Sequence, residues 1–156
     1  MDERSAVLCG ASRLDIELAG LIKAIMPVDG AEILKRDKVF GPDRPLGTFS
    51  SRTRTAYRLG LIDKPLYDAI NVIRNIRNEF AHSISPIVLS EGPNADRIET
   101  LNGIMSQYPF YGRILKTNQS AKNKLVGSIM ALLVFIKISA KHAKPLGTFD
   151  STLHGS

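Results

Sequence analysis

At 156 residues, with 44% hydrophobic and 23% charged side chains, the chain has the make-up of one folded domain, not of a disordered or fibrous segment. Its single cysteine, Cys9, excludes an intrachain disulfide, and a net charge of +6 suits an anionic partner such as nucleic acid. The opening Met1-Asp2-Glu3-Arg4 carries two acids with no long apolar run behind it, so it does not read as a signal peptide, and the expected location is the cytoplasm.

The first element is a helix. Val7, Ala11, Leu14, Leu18, Leu21 and Ile25 recur at alternating steps of four and three, which lays an apolar stripe along one side of it. Pro27 and Gly30 end it. Cys9 falls within this pattern and is expected to be a small core residue. A long connection spans residues 27–47, with a short helical piece expected at Ala31 to Lys35. Thr48 or Ser50 can cap a second helix that runs to Leu59, with Gly60 as its stop.

Asp63 caps a third helix, and Pro65 is tolerated in its first turn. Leu66, Ala69, Ile70, Ile73, Ile76 and Phe80 form its apolar stripe, while Arg74, Asn78 and His82 project from a different face. Ser83 to Ala95 contains Pro86, Gly92 and Pro93 and is expected to be a loop. A short fourth helix from Asn94 to Ser106 and an aromatic turn at Tyr108 to Gly112 follow. A last helix from Ser120 to Lys141, the most apolar, is expected at the centre of the bundle. Its apolar run, Leu125 to Ile138, is shorter than the roughly 20 residues of a bilayer span and reads as buried protein. No segment alternates as a strand would. The expectation is a single all-α bundle of about five helices over residues 1–145, with 146–156 as a flexible tail.

Positive charge is gathered in two places. Residues 101–149 hold no Asp or Glu but carry seven basic residues, among them Lys116, Lys122 and Lys141. Arg44, Arg52, Arg54 and Arg58 form a second group with only Asp43 close by, and Arg52, Arg54 and Arg58, with Arg74, are the candidate contacts for a nucleic acid or another anion. The alternative is ordinary solvated helix surface. A pentapeptide, Pro-Leu-Gly-Thr-Phe, occurs at 45–49 and again at 145–149 without longer similarity around it.

Much chemistry is excluded. No Gly-rich phosphate loop or dinucleotide fingerprint is present. One cysteine with His82, His142 and His154 makes no tight metal-ligand cluster, so neither metal nor cofactor is expected. Cys9 and His82 have no local signature of a nucleophile and base. A helix-turn-helix is not evident either, because the third helix has the strong apolar face of a core element. What remains is Arg77-Asn78 with His82 at the end of the third helix. If the chain bends back there, an imidazole and a guanidinium could meet beside a phosphodiester. Otherwise His82 only complements the helix dipole.

Pro45-Leu46-Gly47-Thr48-Phe49-Ser50-Ser51-Arg52, then Leu59-Gly60-Leu61-Ile62, Tyr67 and the Arg-Asn-x-Phe-Ala-His ending resemble the mannitol operon repressor (MltR) family. The likeness covers most of the chain and is densest over residues 45–82. It implies a transcription regulator without an obvious DNA-binding motif, acting through protein partners or through direct contacts with nucleic acid. The Arg77-Asn78-x3-His82 ending is also similar to the signature of HEPN domains, helical bundles that include metal-independent endoribonucleases. That similarity implies catalytic roles for three residues. His82 would be the acid or base, Arg77 the stabiliser of the phosphorane and Asn78 the orienting group, with two copies of the motif meeting in a homodimer. The tyrosine two residues after the histidine, modified in one toxin-antitoxin subgroup, is replaced by Ile84. The readings are thus a regulator binding RNA, DNA or a protein, a ribonuclease, or an interaction scaffold, and in none of them a membrane protein.

Overall fold

The computed structural model describes residues 1–26, 37–116, 118–147 and 150–154. Six α-helices occur among them, α1 (Glu3–Ile25), α2 (Phe49–Arg58), α3 (Lys64–His82), α4 (Gly92–Met105), α5 (Pro109–Ile114) and α6 (Ala121–His142), followed by a 3₁₀ turn at Ser151–His154. No strand is present among the described residues. The fold is therefore the expected all-α bundle with one helix more, because the aromatic segment after Tyr108 closes into α5 rather than stopping at a turn. The helical piece expected at Ala31 to Lys35 lies outside the described residues.

Local chemistry sets the helix ends. Asp2, Thr48, Asp63 and Ser120 each place a side-chain oxygen on a backbone N–H of the first turn, so each helix start has one orphan donor satisfied. At Thr48 the arrangement is reciprocal, since the Thr48 N–H donates in return to the Ser51 hydroxyl. Gly60 takes φ 72° after α2, a left-handed turn that a side chain would strain. The fourth helix begins at Gly92, slightly earlier than expected, with Pro93 in its first turn.

Four helices form the bundle. α1 packs on α3 and α6, and α4 packs on the same two from the other side, while α2 lies across α1 and α3. Pairs along the seams give the directions. Asp2 to Arg4, at the start of α1, line one pocket with Phe80 near the end of α3, and Ala11, Ser12 and Asp15 line another with Arg74, Arg77 and Asn78, so α1 and α3 are antiparallel. Met1 meets Lys122 at one end of α1, and the Leu146 N–H donates to the Ile25 carbonyl at the other (2.7 Å), so α1 and α6 run the same way. The core is the α1 stripe, now with Val7, Ala11, Leu14, Leu18, Leu21 and Ile25 all buried, against Ile70, Ile73, Ile76 and Phe80 of α3 and Leu125, Leu132 and Ile136 of α6.

Two expectations about burial are corrected. α6 is a wall of the bundle, not its centre, and Met130, Val134 and Ile138 form an exposed row down its outer side. An apolar helix with residues of one kind all round does not reveal from its sequence which side is covered. By length and composition α6 is the one described helix that could cross a membrane, yet one side of it is spent on α1, α4 and α5. Cys9 is exposed, because it sits two residues past Val7 and off the buried stripe.

Candidate functional site

The arginines of α3 define the site. Because α3 is antiparallel to α1, the strip beside its apolar stripe faces the middle of α1. Arg74, Arg77 and Asn78 come from that strip, and Ser12 and Asp15 come from α1 opposite. The remaining wall is the entry to α2, Gly47 to Ser50. Together they enclose a cleft of about 340 Å³.

The α2 entry is held in place by Arg52. Its Nε donates to the Leu46 carbonyl (2.8 Å), its Nη1 to Asp15 Oδ1 (2.9 Å) and its Nη2 to the Phe40 carbonyl (3.0 Å). The side chain is only 14% exposed. One guanidinium thus fastens the connection before α2 to the side of α1 and neutralises Asp15 at the cleft wall. Its donors point into the fold, so Arg52 is a clamp and not one of the outward anion contacts expected from its charge. Gly47 serves the same join, since a Cβ there would collide with the Gly41 carbonyl. The first Pro-Leu-Gly-Thr-Phe is therefore a built corner that delivers the α2 N-terminus to the cleft. Of the second, Thr148 and Phe149 lie outside the described residues, and Gly147 has open space where a Cβ would be.

Two cations line this cleft without an ion-pair partner among the described residues. Among the described residues neither Arg74 nor Arg77 is in any ion pair, and both side chains are partly buried. Arg77 Nη1 contacts only the neutral Asn78 Oδ1, at 3.2 Å. Arg74 Nε is wholly buried and has no hydrogen-bond partner among the described residues. A buried donor without an acceptor costs about 1–3 kcal/mol, more when charged. The α2 N-terminus contributes two more donors. Thr48 Oγ1 satisfies the Ser51 N–H (3.1 Å), while the N–H groups of Phe49 and Ser50 find no partner among the described residues.

The other expected site residues lie elsewhere. Arg54 and Arg58 are exposed on α2 and do not line the cleft. His82 is exposed in the last turn of α3, outside the lining. The chain does not bend back before it. α3 stays helical through His82 to Ser83, whose N–H donates to the Glu79 carbonyl (2.9 Å). Five helical residues carry His82 about 140° around the axis from Arg77, so within one chain the two side chains leave different sides of α3. Ser12 and Asp15 carry no signal of their own in the sequence. Among the described residues no three His, Cys, Asp or Glu side chains are grouped to hold a metal.

The arrangement can bind and orient an anion. It assembles no nucleophile with its base among the described residues, since the carboxylate of the lining, Asp15, is already engaged by Arg52. Comparison with protein-family models, with curated proteins and with solved structures gives no match.

Proposed function

We propose that this chain is a regulatory binding module, of the kind its likeness to the mannitol operon repressor family implies, which engages an anionic partner through the cleft between α1, α2 and α3. One observation supports the reading most: Arg74 and Arg77 are partly withdrawn from solvent in a cleft where neither has a carboxylate counter-ion among the described residues. Guanidinium groups desolvated without a counter-ion favour a ligand that supplies the charge. Nucleic acid is the proposed partner, with Arg54 and Arg58 on α2 as outer contacts to its backbone. Retention of RNA or DNA at low ionic strength, falling steeply with salt and weakened by Arg77→Gln, is the expected result. Failure to retain any nucleic acid at low salt defeats it.

A second reading, the metal-independent ribonuclease, draws support from α3 itself. Asn78 and His82 are four residues apart on one side of the helix, and His82 is exposed with no hydrogen-bond partner among the described residues. In this reading a homodimer brings His82 of one copy to Arg77 of the other. Cleavage of RNA in the presence of chelator, leaving cyclic phosphate ends and abolished by His82→Ala, is its signature. Light scattering that gives a monomer mass at every concentration tested counts against it.

A further inference from the structure

We infer that the α1/α2/α3 cleft is a phosphomonoester site: it takes a terminal phosphate, on a small molecule or on a strand end, in preference to the internal phosphodiesters of a nucleic acid. The inference rests on the reading that this cleft is the binding site, and it adds the chemical class of the group bound there.

Shape is the first reason. A volume of about 340 Å³ lies near the lower end of small-ligand sites, which start at about 300 Å³. Such a cleft receives one end of a molecule. A continuous backbone needs an open track of cations. Arg74 and Arg77 instead sit one turn beyond the buried Ile70 and Ile73, on neighbouring positions of one helix strip, so they meet the same small volume.

The donors are the second reason. The residues that line that volume include two arginines, Ser12 and Ser50 with their hydroxyls, and Phe49 and Ser50, whose backbone N–H groups have no partner among the described residues. A phosphomonoester offers three terminal oxygens and close to two negative charges, and it can accept from several of these donors at once. A diester offers two such oxygens and one charge. The third reason is charge. Asp15, the acid among the lining residues, is held by Arg52, so the net field at the cleft stays positive.

The charge state of the ligand gives a handle. A phosphomonoester passes from one negative charge to two near pH 6, whereas a diester does not titrate there. The groups facing the ligand are Arg74 and Arg77 from α3, Asp15 from α1 and, behind it, Arg52 from α2, and none of these side-chain types ordinarily titrates around pH 6. His82 lies outside the lining, and a His82→Gln variant isolates any part it plays.

The test is calorimetric titration of the full chain with inorganic phosphate, glycerol 2-phosphate and dimethyl phosphate at pH 5 and pH 7.5, with folding of each variant checked by circular dichroism. Saturable binding of the first two, tighter at pH 7.5 and also in His82→Gln, with dimethyl phosphate much weaker, is expected. Arg77→Gln should weaken glycerol 2-phosphate by about tenfold or more. Arg74→Gln, which removes the second charge from the lining, should weaken it as well, while Lys141→Gln on α6 leaves it unchanged. Paired oligonucleotides with a 5′-phosphate or a 5′-hydroxyl separate the two sources. A preference for the phosphorylated strand assigns the site to strand ends, and tight glycerol 2-phosphate binding without that preference assigns it to a small molecule. Equal binding of mono- and diester, affinity indifferent to pH or to Arg77→Gln, or no phosphate binding by folded protein overturns the inference. If phosphate fails while oligonucleotides still bind through Arg77 with no regard to the 5′ group, the phosphomonoester inference falls and the nucleic-acid reading stands. If both fail, both fall.

Discussion

Replacing Arg52 by alanine is the sharpest test of how the cleft is built. Three hydrogen bonds are lost, to Leu46 O, Phe40 O and Asp15 Oδ1 at 2.8, 3.0 and 2.9 Å. With side-chain exposures of 14% and 27% for Arg52 and Asp15, solvent partly compensates the carboxylate, so the ion pair contributes about 1 kcal/mol. Each carbonyl that loses a charged donor adds about 1 kcal/mol. The total is about 3 kcal/mol, and for a chain of this size that lowers Tm by roughly 6–12 °C. Urea unfolding followed by circular dichroism reads the loss directly, and an unchanged slope against urea shows that the unfolded state is not altered. Asp15→Asn removes only the ion pair and should lose about a third as much. Arg52→Lys keeps the charge without the three-way fork and should fall between the wild type and the alanine variant. A loss below about 0.5 kcal/mol for Arg52→Ala, the range of ordinary surface positions, would refute the clamp. Arg52 would then be free for the outward role its charge first suggested.

Gly20 lies exposed inside α1 with open space where a Cβ would stand, so Gly20→Ala should stabilise the protein by about 0.8–1 kcal/mol, read as a rise in Tm. Gly60→Ala has equal room but a backbone φ of 72°, and a loss of about 1 kcal/mol is expected in the same assay. Thr48→Ala breaks the reciprocal cap of α2 and should cost about 1 kcal/mol, with glycerol 2-phosphate binding weakened as the cleft wall frays. Backbone N–H groups of Val39 and Phe40 hold the Asp37 carboxyl below its ordinary value of 3.8. Its folded pKa is depressed, so its stabilisation is present above that value and disappears as pH falls below it. Asp37→Asn should therefore flatten the stability profile on the acid side of pH 4 and leave its shape above pH 5 unchanged, measured by thermal melts across pH.

Features fixed within one helical turn were legible in the sequence. Thr48, Asp63 and Ser120 cap their helices as their side chains require, and the α1 and α3 stripes are buried nearly residue for residue. Features that depend on acceptors elsewhere in the chain were not. Arg52 and Arg77 look alike along the chain, and only the return of α1's Asp15 and two distant carbonyls separates a clamp from a ligand contact. The cleft drew Ser12 and Asp15 from a helix whose sequence advertises only its apolar stripe. The bend that would bring His82 to Arg77 does not occur, because α3 keeps its helical hydrogen bonds through Ser83.

The parallel seam between α1 and α6 bears on how the molecule is made. Met1 meets Lys122, and the Ile25 carbonyl meets the Leu146 N–H, so α1 leaves the ribosome long before the helix that covers its second flank. Until α6 emerges, only α3 and α2 can shelter it. Closing so long a loop slows folding relative to a bundle of neighbouring hairpins. The nascent chain therefore carries an open apolar edge while the intervening helices are made, and its yield in cells should depend more on translation rate and chaperone supply than the helical content alone would suggest.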